Sequence, residues 1–145
     1  MKLEFFVIGV PAPGGSKRFV GHSKETGRAI LIDAAGEKNK TWRNTVAWTA
    51  SQAYPYGDLL AESLKVHFEF RMPRPKRHYG TKGLKSSAPK WPNTKPDALK
   101  LARSTEDALT GVVWKDDSYV VCGSQDKVFA EDGRCGCMII IQTME

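Results

Sequence analysis

Five carboxylates, Asp97, Glu106, Asp107, Asp116 and Asp117, follow directly on a segment, residues 71–96, that holds eight Lys/Arg and no acid. Hard carboxylate oxygens suit Mg²⁺, which keeps several waters and takes only one or two carboxylates beside phosphate oxygens. A cationic segment running into such a cluster is what a metal-dependent enzyme acting on a polyanion requires. Each half also has a plainer reading. Basic residues alone make a solvated face, Asp116-Asp117 before a strand makes a turn, and Asp97 makes a capping acid at a helix start. The conjunction of the two halves is what favours chemistry.

The charge distribution sharpens this point. The chain has 145 residues and a net charge of +6. Residues 1–70 are close to balanced, with nine Lys/Arg against seven acids; residues 71–96 carry +8, and residues 97–145 carry −4. With 41% hydrophobic and 26% charged residues the composition is that of a globular protein with a real core, and residues 1–145 are expected to form a single domain. No apolar run is long enough for a membrane helix, and the first residues lack the pattern of a secretory signal. Three cysteines (Cys122, Cys135, Cys137) cannot close a disulfide framework and suit a reducing cytoplasm. Gly14-Gly15-Ser16-Lys17 lacks the order of a nucleotide-binding loop, so no nucleotide cofactor is expected.

The elements that must position these residues are legible in outline. Lys2 to Val10 predicts a strand, residues 11–16 a loop, and Arg28 to Asp33 a short strand hairpinned with Phe19-Val20. From Glu37 to Tyr54, Trp42, Val46, Ala50 and Ala53 recur at helical spacing, and Pro55 closes the helix. Ser63 to Met72 alternates Leu64, Val66, Phe68, Phe70 and Met72, a period of two. Residues 73–96 hold five prolines and most of the basic charge, which predicts a functional, mobile basic loop rather than a connector. A helix follows, starting from Thr94 as N-cap with Pro96 in the first turn and stopped by Gly111. Ser118 to Val121, Lys127 to Ala130 and Arg134 to Thr143 read as strands, with Glu131-Asp132-Gly133 as the turn of a hairpin. The order predicts an α+β fold, a single mixed β-sheet with two main helices packed on it.

In the second helix, Ala98, Leu101, Ala102, Thr105, Ala108 and Leu109 form one apolar stripe. Leu99 falls off it, beside Arg103 and Glu106, where the pattern expects a polar residue.

Lys95-Pro96-Asp97, and then Asp107-Ala108-Leu109-Thr110-Gly111-Val112-Val113-Trp114-Lys115-Asp116-Asp117-Ser118, resemble the RusA-type Holliday junction resolvases, phage and prophage members in particular. Pro73 to Gly80 and Gly15-Ser16-Lys17-Arg18 are similar to other segments of that group. The resemblance implies a small RusA-like homodimer, cytoplasmic in a bacterium or phage-infected host. It would cut four-way DNA junctions symmetrically with Mg²⁺ or Mn²⁺ held by aspartates, in DNA recombination and repair. Carried over by position, the first catalytic aspartate is Asp97, the last is Asp117 with Asp116 beside it, and the basic residue of the helix is Arg103. The second helix aspartate of the family falls on Leu99, so that ligand is missing. Glu106, almost two turns further along the same face, is the candidate replacement, although ~10 Å of rise separates the two positions.

The expected metal ligands are therefore Asp97, Asp116, Asp117 and Glu106, and the expected catalytic set is Asp97, Arg103 and Asp117. The expected DNA contacts are Lys17, Arg18, Arg74, Lys76, Arg77, Lys82, Lys85, Lys90 and Lys95. Tyr79 and Trp91 in the basic loop have the chemistry to stack on unpaired bases, and His78 to touch phosphate. Two rival readings stand: a branched-DNA binding protein that has lost nuclease activity through Leu99, and a basic RNA-binding domain. Among the remaining candidates, Cys135 and Cys137 read as buried small hydrophobes, His67 as an outer-face residue, and Trp42 and Trp48 as core or dimer contacts.

Overall fold

A computed structural model describes residues 1–14, 17–33 and 36–145, with the backbone alone at residues 17–20 and 30–33. The elements in chain order are β1 (Lys2–Ile8), β2 (Lys17–His22), β3 (Ala29–Asp33), α1 (Gly36–Ala53), β4 (Leu64–Met72), β5 (Tyr79–Gly80), β6 (Gly83–Leu84), α2 (Ala98–Leu109), β7 (Val120–Phe129) and β8 (Gly136–Thr143). A four-stranded mixed sheet in the order β1-β8-β4-β7 carries the two helices, which is the expected α+β architecture. The hairpin of β2 and β3 pairs Phe19 with Leu31, as the short apolar runs predict.

Alternation in β4 becomes burial. Leu64, Val66, Phe68, Phe70 and Met72 point into the core, while Lys65, His67, Glu69 and Arg71 line the other face. The core is completed by Phe5 and Val7 of β1, Cys137, Ile139 and Ile141 of β8, and the inward faces of the helices. Burying large apolar side chains of this kind contributes about 1.5–3 kcal/mol each. Polar contacts then fix how the helices meet. Trp42 Nε1 on α1 donates to Thr105 Oγ1 on α2 at 3.1 Å, and Asn39 Nδ2 donates to Ser104 Oγ at 2.7 Å. Gly136 has no room for a side chain: an added Cβ would run into the Val7 carbonyl oxygen and the Phe6 ring. The β1–β8 pairing therefore requires glycine there.

Three expectations about the elements are corrected. The second helix starts at Ala98 with Asp97 as its N-cap, not at Thr94. The Thr94 and Pro96 carbonyls accept hydrogen bonds from Lys127 Nζ, whereas the Asp97 carbonyl accepts the helical bond from Leu101 N. The two short strands expected after Asp117 are one, β7, running parallel to β4 from Leu64↔Val120 to Met72↔Phe129. Finally, the chain does turn at residues 131–133, but not into a hairpin. β8 enters the sheet between β1 and β4, antiparallel to both, and β7 stays on the far side of β4. The passage from β4 through α2 to β7 is thus a crossover between parallel strands, which needs a helix-length connection.

Candidate active site and nucleic-acid interface

The stripe on α2 divides the helix as the spacing predicts. Leu101, Ala102, Thr105, Ala108 and Leu109 are buried, joined by Ser104, which the hydrogen bond from Asn39 makes tolerable inside; Ala98 is half-buried. The opposite face presents Leu99, Lys100, Arg103, Glu106 and Asp107. Leu99 is 71% exposed, a large apolar side chain on a charged face. Arg103 makes no ion pair among the described residues, so its guanidinium is free to meet an anion.

The link after α2 is built to hold one pair of carboxylates. Gly111 turns the chain with φ +84°, a conformation that favours glycine. Trp114 is fully buried and donates Nε1–H to Thr110 Oγ1 at 3.0 Å, while Thr110 hydrogen-bonds the Glu106 carbonyl. Backbone bonds between Leu60 and residues 113 and 115 pin the link beside the start of β4. Asp116 then accepts from Ser118 N at 2.8 Å and caps a short 3₁₀ turn, Asp117–Tyr119. That bond, helped by the Ser118 hydroxyl, holds the Asp116 carboxyl below its ordinary value. So Asp116 forms the turn that the plainer reading gives it, and the turn presents Asp117.

Asp117 faces α2. Desolvation at its half-buried position, followed by the negative charges of Asp117 and Asp107, pushes the Glu106 carboxyl above its ordinary value. Carboxylates whose charges oppose one another in this way are what a hard cation relieves. Among the described residues no three His, Cys, Asp or Glu side chains gather into a group that could cage an ion. A Glu106–Asp117 pair nevertheless fits Mg²⁺, which needs only one or two carboxylates when water and phosphate fill the remaining positions. Asp97 is not part of this cluster. It begins α2 nine positions before Glu106, about 13.5 Å of helix rise away.

The basic segment has its own small structure. Lys76–His78 form a 3₁₀ turn and β5 pairs with β6. Arg74, expected on DNA, is committed inward: its guanidinium lies 3.9 Å from the Phe129 ring centroid and donates to the Pro89 carbonyl at 2.8 Å. His78, the expected phosphate contact, is buried edge-on to Phe129, and Arg74 Nη1 lies 3.2 Å from its Nδ1. Desolvation and the nearby charges of Arg74, Arg77 and Lys85 push His78 below its ordinary value. Lys76, Arg77, Lys82, Lys85, Lys90 and Lys95 are exposed, as are Tyr79 and Trp91, with the Lys90 ammonium 5.3 Å from the Trp91 ring centroid. Gly15 and Ser16, and the side chains of Lys17 and Arg18, lie outside the described residues.

The remaining candidates resolve simply. Cys137 is buried with its thiol pushed well up by desolvation, Cys135 precedes β8 and is half-buried, and Cys122 is exposed. Trp42 is core and Trp48 is exposed. His67 lies on the outer sheet face with Nδ1 2.6 Å from Ser124 Oγ. No helix among the described residues is long and apolar enough to cross a membrane. Sequence reasoning missed one set of cations. Lys40 and Arg43 of α1 line a cleft with Asp107 and Ala108, which sets positive charge beside the carboxylate cluster. The signal was present as Lys38, Lys40 and Arg43 along the first turns of α1, diluted by their spacing.

Comparison with known proteins bears directly on this arrangement. The family model described as Endodeoxyribonuclease RusA matches residues 11–140. A Bacillus subtilis (strain 168) protein described as uncharacterized protein YqaN is 31% identical over 140 residues, covering 94% of each chain. With the basic segment, α2 and the Asp116-Asp117 turn all inside the matched span, the chain belongs to the RusA endodeoxyribonuclease family.

Proposed function

We propose that this protein is a structure-selective endonuclease that resolves four-way DNA junctions by divalent-metal-dependent hydrolysis of phosphodiester bonds. The feature that supports this most is the outward side of α2, which carries Arg103, Glu106 and Asp107, with Asp117 near enough for its charge to act on the Glu106 carboxyl and with Lys40 and Arg43 lining a cleft beside Asp107. Glu106 and Asp117 would hold Mg²⁺ or Mn²⁺, with Asp116 presenting Asp117 through its turn. Bound there, the ion would acidify a water for in-line attack on phosphorus and offset charge on the leaving oxygen.

The chain's own residues supply the rest. Arg103 stabilises the added negative charge of the pentacoordinate phosphate. Arginine does not release its proton usefully, so it binds charge and does not act as general acid. The exposed lysines and Arg77 of residues 76–95 hold the duplex arms, with Lys17 and Arg18 as further contacts. Asp97 enters the catalytic set through the family pattern, not through proximity to Glu106. A homodimer supplies the two matched cuts that a two-fold junction needs.

Exposed Leu99, standing where the family has an aspartate, favours the second reading, a junction-binding protein without nuclease activity. A nicking assay on a synthetic four-way junction, comparing the wild type with Leu99→Asp, separates the two. The endonuclease reading requires nicks from the wild type, with a faster rate or a lower Mg²⁺ requirement in the variant. Binding with nicks only from the variant supports the second reading.

A further inference from the structure

Seven of the chain's eight prolines line one cleft. It opens between the end of β1, the first half of α1 and the basic segment, with a volume of about 960 Å³. Pro11, Pro73, Pro75, Pro92, Val10 and Phe129 are among the apolar residues of its wall. Proline fixes φ and offers no N–H, so these walls are rigid before any ligand arrives and present little to hydrogen-bond. The volume lies near the top of the ~300–1,000 Å³ range of small-molecule sites.

The rim has the opposite character. Lys38, Arg77 and Lys95 stand around the opening, and Glu37 is the one acid among the described lining residues. Lys127 also reaches the wall, but its ammonium is occupied by the Thr94 and Pro96 carbonyls and braces the segment instead. Pro96 of the lining is followed at once in the chain by Asp97, the first residue of the proposed catalytic set.

We infer that this cleft receives an unstacked nucleobase, with its flanking phosphates on the Lys38, Arg77 and Lys95 rim. The flat faces of a base suit the proline-rich walls and the Phe129 ring, its polar edges can meet Thr41 and Asn93 of the lining, and the cationic rim suits the phosphates on either side of it. A neutral apolar peptide would need the walls and not the rim. This inference rests on the junction reading above and gives it a source of selectivity: continuous duplex stacks every base on both sides, whereas a crossover interrupts the stack and makes a base there easier to extrude. The cleft would then act as the feature reader, and the basic lysines as the general grip.

The test uses the full chain without divalent metal and a four-way junction carrying 2-aminopurine at successive crossover positions. Base entry unstacks the probe, so binding should raise its emission several-fold at one position. Thr41→Trp on α1 and Val10→Trp after β1 fill the cleft from exposed positions that line it. Either should abolish the emission change and weaken junction binding about tenfold, roughly the value of one stacked base. Continuous duplex should bind each variant as it binds the wild type, and an abasic crossover nucleotide should cost the wild type a similar factor. Junction preference without any emission change in the wild type, or emission and affinity that survive both variants, overturns the inference and leaves the functional reading standing. A wild type that does not prefer junction over duplex fails the functional reading first, and the inference with it.

Discussion

Lys127→Met isolates the brace that joins the basic segment to the sheet. The Lys127 ammonium donates to Thr94 O at 2.7 Å and to Pro96 O at 2.8 Å, so one side chain of β7 fixes the residues that lead into Asp97 and α2. Methionine keeps most of the apolar stem and removes both bonds. Hydrogen bonds to a charged group contribute about 1.5–3 kcal/mol, but Thr94 is exposed and Pro96 half-buried, so water replaces part of the loss. The net cost should be about 1–2 kcal/mol, which in a chain of this size lowers Tm by about 3–6 °C. In a nicking assay, a loosened approach to Asp97 should lower kcat with little change in KM, and Lys127→Arg should restore much of both. Limited proteolysis should cut residues 73–96 of Lys127→Met faster than those of the wild type. A Tm within about 1 °C of wild type together with unchanged proteolysis would refute the bracing role.

Other perturbations have equally definite outcomes. Glu106→Gln removes a carboxylate whose pKa is raised in the folded state, so the native chain is penalised above that pKa and recovers as pH falls towards its ordinary 4.5. Without metal the variant should melt about 1–2 °C above the wild type at pH 8, with the gain fading on acidification; equal melting at both pH values would contradict the crowding. His78 is lowered below 6.5, so its contribution to stability is present above that value and is lost as pH falls through the folded-state pKa. His78→Leu should accordingly flatten the decline of Tm below pH 6.5, and an unchanged slope would place the sensitivity elsewhere. Replacing Lys76, Arg77, Lys82 and Lys85 with Ala should lower the log–log salt slope of DNA binding by about 0.9 for each phosphate no longer neutralised, as titrations at several salt concentrations will show. Arg74→Ala, by contrast, should act mainly on stability, because its guanidinium is held by Phe129 and Pro89.

What could be read in the sequence was whatever a local period encodes. β4 alternates because one of its faces is buried, and α2 shows its stripe because one side of a helix meets the core. Leu99 stood out for the same reason in reverse. β7 did not show as one strand because it runs along the edge beside β4, where Cys122, Gly123, Ser124 and Asp126 are exposed and no alternation is imposed. The insertion of β8 between β1 and β4 is a pairing of distant segments, which no local pattern specifies. The start of α2 was misplaced because the Lys127 side chain that claims the Thr94 and Pro96 carbonyls comes from another strand. Within the site, the carboxylates were legible as residue types. That Asp117 comes near enough for its charge to act on Glu106 while Asp97 begins the other end of α2, and that Arg74 turns inward, follows from the fold alone.

Cleavage of a strand-labelled four-way junction, with and without Mg²⁺, by the wild type and Asp117→Asn tests the central claim most directly. The account predicts paired, symmetric nicks that require the ion. It also predicts an Asp117→Asn variant that binds the junction at least as tightly but does not cut, since a carboxylate facing phosphate has been neutralised. Wild-type nicking that is indifferent to chelation would contradict it, as would an Asp117→Asn variant that still cuts or loses binding and cutting together.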